Sequence, residues 1–396
     1  MTDRGPYVFI CTGEASGDLH ASHLIRALRE RAPAVRIEGL GGDRMAAAGC
    51  TLRRNLIGLA AMWHKTAGSA VRILPILLET ERSFAGDPPD VVVILDYPGF
   101  NFPLARRAKS RGIPVLWYIP PQMWAWGRWR MRKLRDRVAG VACIFPFEEE
   151  MYRSAGVPVR YVGHPLMDVM AAELDAGPGR PVFGAGSPKI GLLPGSRKQE
   201  VETLLPVMLE VAAAAAGRFP QAEFVLGAAH DSLRGVIEPA VRSARVPVAV
   251  AEGRTYDVMR QADVVLVASG TATLECALFG TPMVILYSIT PLMHMVAKPF
   301  IRSEHIGLAN VVAGKRVVPE FAPVLPPTPV IAAEVLDLLA RPERLTAIRG
   351  ELRAVRSRLG GPGASQRAAE EVLALAERSR RSHRDGYRRG CTGMFW

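Results

Sequence analysis

The sequence predicts an α/β protein built from two doubly wound parallel-sheet domains facing a cleft. Three observations predict it. Short β-branched runs alternate with helix-length amphipathic stretches from end to end. Runs such as Val91-Val92-Val93-Ile94-Leu95 are apolar on both faces, as in a parallel sheet covered by helices on each side. The alternation runs twice, with four Gly and three Pro in the intervening stretch 174–188. A length of 396 residues also exceeds one typical core.

Composition sets the class. A hydrophobic fraction of 49% with 22% charged residues is that of a soluble globular protein. No uninterrupted apolar run approaches the roughly 20 residues that span a bilayer. Tyr7 to Cys11 is followed at once by Gly13 and Glu14, so it reads as a first strand and not as a secretion signal. The five cysteines (11, 50, 143, 276 and 391) lack metal-ligand spacing and suit reduced thiols in a cytosolic compartment. Of the net charge of +12, six Arg against one Asp in 378–389 supply five. The remaining excess points to an anionic partner: nucleotide, phospholipid surface or nucleic acid.

The expected strands are 7–11, 35–39, 90–95, 114–119, 141–145 and 159–162, then 189–193, 222–227, 247–250, 263–267 and 282–286. Helices are expected at 17–31, 101–111, 201–216, 231–245 and 270–279 among others. After the first strand, Gly13-Glu14-Ala15-Ser16-Gly17-Asp18 occupies the place where ligands bind in such sheets. It lacks the G-x-G-x-x-G spacing, and Ser16 or Asp18 could simply cap the next helix. Residues 56–84, with Met62, Trp63, Ile73 and Leu77 among interleaved cations, read either as a core helix kinked at Pro75 or as a lipid-touching surface. Asp96 closes the strand 91–95, and a carboxylate desolvated there is a usable general base.

Trp117, Trp124, Trp126 and Trp129 precede a basic run from Arg128 and Arg130 to Arg137. That pairing fits single strands of nucleic acid, a lipid headgroup interface, or packing beneath a solvated face. Nucleic acid is the weakest of these, because no binding-module pattern accompanies it.

In the second run, Lys189 to Leu193 is a strand, Pro194-Gly195-Ser196 breaks it and Arg197 opens a helix. A Gly turn at a helix N-terminus aims N–H groups and a positive dipole end at one point, and Arg197 adds a fork suited to phosphate oxygens. A second such start follows strand 263–267, as Ser269-Gly270-Thr271-Ala272-Thr273-Leu274-Glu275. Glu275, one turn in, is placed to accept ribose hydroxyls. No Asp-x-Asp pair occurs, so arginine and amides, not a metal, are expected to neutralise the diphosphate. Residues 291–302, with Met293 and Phe300, form another apolar, cationic segment.

These blocks, with Pro121-Gln122-Met123-Trp124-Ala125-Trp126, Phe145-Pro146-Phe147-Glu148, Val162-Gly163-His164-Pro165 and Asn310-Val311-Val312-Ala313-Gly314, resemble the lipid-A-disaccharide synthase family, in its order, over about 7–320. The resemblance implies two Rossmann-like domains of the GT-B type and an inverting, metal-independent glycosyltransferase without a cofactor. It would move 2,3-diacylglucosamine from its UDP derivative to the 6-hydroxyl of 2,3-diacylglucosamine 1-phosphate. The products would be a β-1,6-linked disaccharide 1-phosphate and UDP. The same resemblance implies a cytoplasmic protein, peripheral on the anionic inner-membrane surface, with no nucleic-acid partner; a homodimer is compatible with it.

Under that resemblance Asp96 is the base. Gly195, Ser196, Arg197, Ser269, Gly270, Thr271, Ala272 and Thr273 hold the diphosphate, and Glu275 the ribose. Glu14, Ser16 and Asn310 line the sugar or acceptor side, and Arg128 or Arg130 meets the acceptor phosphate. Met62, Trp63, Ile73, Leu77, Met293 and Phe300 contact lipid.

The expected divisions are 1–175 (acceptor and membrane-facing domain) and 187–360 (UDP-sugar domain). Beyond them come a helix 361–378, which could pack back on the first domain, and a basic disordered tail 379–396. The chain departs from the family at Leu308-Ala309-Asn310, where Leu-Pro-Asn is usual, and in 59–70. It also lacks a Gln shortly after Val318-Pro319-Glu320. The rival readings are another UDP-sugar enzyme of this architecture, such as a MurG-like transferase or a UDP-N-acetylglucosamine epimerase, and a non-enzymatic membrane-associated scaffold.

Overall fold

The computed structural model describes residues 4–57, 69–125, 130–177, 179–288 and 304–391. The chain divides into two compact units, Met1–Asp168 with Gly361–Trp396, and Val169–Gly360.

The first unit begins β1 (Tyr7–Cys11), α1 (Ala15–Arg31), β2 (Arg36–Gly41), α2 (Asp43–Ala47) and β3 (Thr51–Asn55). It continues α3 (Ser69–Gly86), β4 (Val91–Leu95), α4 (Pro98–Ser110), β5 (Val115–Tyr118), α5 (Met131–Arg135), β6 (Gly140–Cys143), α6 (Pro146–Ser154) and β7 (Val159–Tyr161). The seven strands form one parallel sheet in the order β3-β2-β1-β4-β5-β6-β7. Its central strands β1 and β4 are wholly buried, as their unbroken apolar runs require. Strand order reverses between them, so the loops after β1 and β4 part to opposite sides and leave a crevice at their carboxyl ends.

The polar edge strand β3 has no apolar run to betray it: Arg53 turns back to Glu38 at 2.6 Å and Arg54 pairs with Glu79 at 2.8 Å. Along α3 the helical period carries Ile76, Leu77 and Phe84 into the core, where the Phe84 ring stands edge-on to Phe9 at 5.0 Å.

From α7 (Leu166–Asp175) the chain enters the second unit. There follow β8 (Lys189–Leu193), α8 (Lys198–Arg218), β9 (Glu223–Ala228), α9 (Arg234–Arg242), β10 (Ala249–Glu252), α10 (Thr255–Gln261), β11 (Val264–Ala268), α11 (Thr271–Phe279) and β12 (Met283–Leu286). The unit ends with α12 (Leu308–Ala313), β13 (Glu320–Phe321), α13 (Thr328–Ala340) and α14 (Pro342–Leu359). These strands form a second parallel sheet, β10-β9-β8-β11-β12-β13, whose order reverses between β8 and β11.

The last helix, α15 (Ala364–Cys391), belongs to the first unit and packs on α1. Asp168 holds its N-terminus by accepting the N–H groups of Gly363, Ala364 and Ser365. The helix runs from Ala364 to Cys391, across the point where the tail was expected to begin. Arginine is a good helix former, and a helix already seated on α1 extends at little cost.

Candidate active site

At the first switch point Asp96 follows β4 directly. Its carboxylate accepts the Thr12 hydroxyl at 3.1 Å and the Gly13 N–H at 3.4 Å, both from the loop after β1. Asp96 and Tyr97 both take left-handed backbone, at φ +42° and +39°, which costs on the order of 1–3 kcal/mol per residue. Asn101, fully buried, restrains that turn by donating to the carbonyls of Leu95 and Asp96 at 2.7 and 2.8 Å. Gly17 allows the approach of α1, because a Cβ there would stand 1.9 Å from the Asp96 carboxylate. Burial, and then the nearby Glu14 carboxylate, push the Asp96 carboxyl well above the ordinary range.

Glu14 and Ser16 are exposed at the start of α1. Asp18 turns elsewhere: it accepts the N–H groups of Gly42, Arg44 and Met45 and caps α2. The aromatic blocks gather nearby at the carboxyl ends of β5, β6 and β7. Trp124 meets Phe145 and Phe147 edge-on, and Phe145 lies 5.1 Å from the His164 ring. Trp117 stands apart from them as a core residue against Phe102.

In the second unit the loops after β8 and β11 form one side of a cavity of about 520 Å³. Gly195, Ser196, Arg197, Ser269, Gly270, Thr271, Ala272 and Glu275 all line it. Gly195 is required twice over, by its φ of +115° and because a Cβ would lie 2.6 Å from the Glu200 carboxylate. Arg197 is the N-cap of α8. Its guanidinium pairs with Glu200 at 2.7 Å, and the Glu200 carboxylate also accepts the N–H groups of Ser196 and Arg197. With Arg197 78% exposed, that pairing is worth at most about 1 kcal/mol and is readily exchanged for a stronger anion.

Of the second loop, the Ser269 N–H donates to Leu286 and the Thr273 N–H to Gly270. The first-turn N–H groups of Thr271 and Ala272 remain at the helix end for a ligand. Glu275 accepts the Tyr256 hydroxyl at 3.3 Å, and burial raises its carboxyl.

Some expectations are corrected. Thr273 is fully buried, with its hydroxyl on the Gly270 carbonyl, and does not line the cavity. Asn310 is fully buried as well: its amide spans Val317, Val318 and Glu320, so it pins the turn before β13. Leu77 is a core residue and Ile73 packs partly against the core; the leucines that α3 exposes are Leu74 and Leu78. Arg130 lines a separate basic pocket. Met62, Trp63, Arg128, Met293 and Phe300 lie outside the described residues.

The cavity also takes His230 from the loop after β9, and Thr255 and Tyr256 from the first turn of α10. The only hint of them in the sequence is that both places also follow the carboxyl ends of strands.

Comparison with known proteins decides the family. The model of the lipid-A-disaccharide synthetase family matches residues 8–351. The chain belongs to the lipid-A-disaccharide synthase family. It is 42% identical over 376 residues to the lipid-A-disaccharide synthase of Syntrophus aciditrophicus, covering 94% of this chain and 98% of that one. To the enzyme of Neisseria meningitidis serogroup C it is 38% identical, covering 90% and 94%.

Among solved structures, the fold is shared with the UDP-GlcNAc 2-epimerase of Neisseria meningitidis, solved with UDP-GlcNAc bound. The TM-score is 0.59 at 15% identity, covering 93% of this chain and 99% of that one. Acinetobacter baumannii MurG gives 0.56 at 14%, with the same coverage. As a member of the lipid-A-disaccharide synthase family the protein is a glycosyltransferase of GT-B fold.

Proposed function

We propose that the protein transfers 2,3-diacylglucosamine from UDP-2,3-diacylglucosamine to 2,3-diacylglucosamine 1-phosphate. The products are the β-1,6-linked disaccharide 1-phosphate and UDP. The observation that carries the reading is the cavity built by Gly195–Arg197 and Gly270–Ala272 with Glu275 beside it, in a chain that matches this family over residues 8–351.

The chemistry follows from the residues. The acceptor 6-hydroxyl oxygen bonds to the anomeric carbon from the face opposite the leaving group, which inverts it. The bond from that carbon to the diphosphate oxygen breaks, and its electron pair leaves with UDP. Asp96 receives the hydroxyl proton. A raised carboxyl pKa makes it the stronger base once ionised. Arg197 and the amides of Thr271 and Ala272 meet the charge growing on the leaving diphosphate, a contribution worth about 10²–10³ in rate for a single well-placed donor. Glu275, already a hydrogen-bond acceptor for Tyr256, holds the ribose. Glu14 and Ser16 stand on the acceptor side beside Asp96.

We place the protein on the cytoplasmic face of the inner membrane as a peripheral protein. Among the described residues no helix is long and apolar enough to cross a membrane. Leu74 and Leu78, 48% and 37% exposed on α3, give an apolar contact that suits a lipid surface.

The test supplies both acylated substrates and follows UDP release against disaccharide formed. The reading expects one UDP per disaccharide, and no change in UDP-N-acetylglucosamine offered alone. Epimerisation of UDP-N-acetylglucosamine without disaccharide would refute it.

A further inference from the structure

We infer that Tyr256 is a positioning residue whose hydroxyl turns the Glu275 carboxylate toward the ribose of the bound nucleotide. Through Glu275 the cavity then selects a nucleotide that carries both ribose hydroxyls. The inference rests on the transferase reading above, in which Glu275 holds the ribose. Tyr256 and Glu275 line the same cavity of about 520 Å³, from the start of α10 and from α11.

Tyr256 meets α11 at two points one turn apart. Its ring leans on Phe279, with centroids 5.8 Å apart and planes tilted by 58°, and its hydroxyl donates to Glu275 Oε1 at 3.3 Å. Glu275 and Phe279 are spaced i and i+4, so they stand on one face of the helix. The ring thus fixes where the hydroxyl sits, and the hydroxyl fixes one carboxylate oxygen. Among the described residues no other hydrogen bond or ion pair reaches that carboxylate, so Oε2 keeps its acceptor capacity for the ligand.

Helix α10 is itself held in place. Arg260 pairs with Asp257 and with Glu173, both at 3.2 Å, and lies 4.9 Å from the Phe279 ring. Arg254 reaches Asp257 at 2.9 Å. A hydroxyl carried on so fixed a helix gives up little freedom in holding its partner.

A ribose 2′,3′-diol presents two adjacent O–H donors, and an ionised carboxylate is the acceptor that suits them. Burial raises the Glu275 carboxyl, and the Tyr256 hydrogen bond works against that rise, favouring the ionised form. Burial and then the Glu275 charge push the Tyr256 phenol up, so it stays a donor across the neutral range. Without the hydroxyl, the half-buried carboxylate would lose that donor and would have to be ordered by the ligand alone.

The test uses the full chain as wild type, Tyr256→Phe, Glu275→Gln and the double variant, each checked by thermal melt. Tyr256→Phe keeps the ring on Phe279 and removes only the hydroxyl. The probes are UDP and 2′,3′-dideoxy-UDP, which share base and diphosphate. Wild type should bind UDP at least about tenfold more tightly than the dideoxy nucleotide. Tyr256→Phe should lose about five- to tenfold in UDP affinity and stay within about twofold for dideoxy-UDP. Added to Glu275→Gln, it should cost less than about twofold more, because the hydroxyl acts through the carboxylate. In turnover, Tyr256→Phe should raise the KM for the UDP-sugar, with kcat lowered less than about threefold.

Equal loss for both nucleotides, or full additivity of the two substitutions, would overturn the inference and leave Tyr256 as packing for Phe279. So would unchanged UDP affinity in Tyr256→Phe, or a wild type that binds both nucleotides alike. If wild type forms no disaccharide yet the binding arm behaves as stated, the positioning role stands and the transferase reading falls.

Discussion

Asp96 combines a strained backbone, two hydrogen bonds from the β1 loop and a carboxyl pushed upward by burial and by Glu14. Replacing Glu14 by Gln removes a negative charge that disfavours the ionised base. The acid limb of the kcat/KM–pH profile should therefore move to lower pH, and a shift upward or none would contradict the assignment. A raised folded-state pKa also carries a stability cost. Between the ordinary aspartate value and the raised one, the folded state binds more protons than the unfolded, so stability falls as pH rises through that window. Asp96→Asn should then raise Tm relative to wild type at pH 8, with the gain shrinking as pH falls toward about 4, as thermal melts at several pH values would show.

At this scale legibility was uneven. The position of Asp96 at the carboxyl end of β4 could be read because an apolar strand ends on it. Asn310 and Thr273 could not, because a short polar side chain beside a glycine turn serves a ligand or its own backbone equally well, and here it serves the backbone.

The two phosphate-type loops were legible as elements because each joins a buried strand to a helix through glycine. Tyr256 and His230 were not, since the start of α10 and the loop after β9 carry no comparable signature. Helix α3 shows the limit of composition: its apolar residues suggested a lipid face, but the 3.6-residue period sends Ile76 and Leu77 inward and leaves Leu74 and Leu78 outside. Glu at both exposed positions should weaken co-sedimentation with anionic vesicles by about tenfold or more while Tm changes little, because no core contact is lost. Loss of Tm with binding unchanged would instead mean that these leucines serve the fold. A charge run such as the Arg-rich end of α15 reads as disorder from composition alone. What composition could not show is that the helix was already docked on α1, where pairs such as Glu377–Arg381 add to it.

Across the whole molecule one rule does most of the positioning. Each sheet reverses its strand order once, between β1 and β4 and between β8 and β11, and each candidate centre lies at the carboxyl ends of those strands. Alternating apolar runs made both sheets legible; the edge strands β3 and β13, polar or only two residues long, escaped.

We propose that proton transfer and nucleotide binding are built by different units, Asp96 in one and the Arg197–Glu275 cavity in the other. It is tested most directly by titrating UDP into Asp96→Asn alongside its turnover. The expected result is a UDP Kd within about twofold of wild type with turnover lower by about 10²-fold or more. A UDP affinity that falls together with turnover, or turnover that survives the substitution, would contradict it.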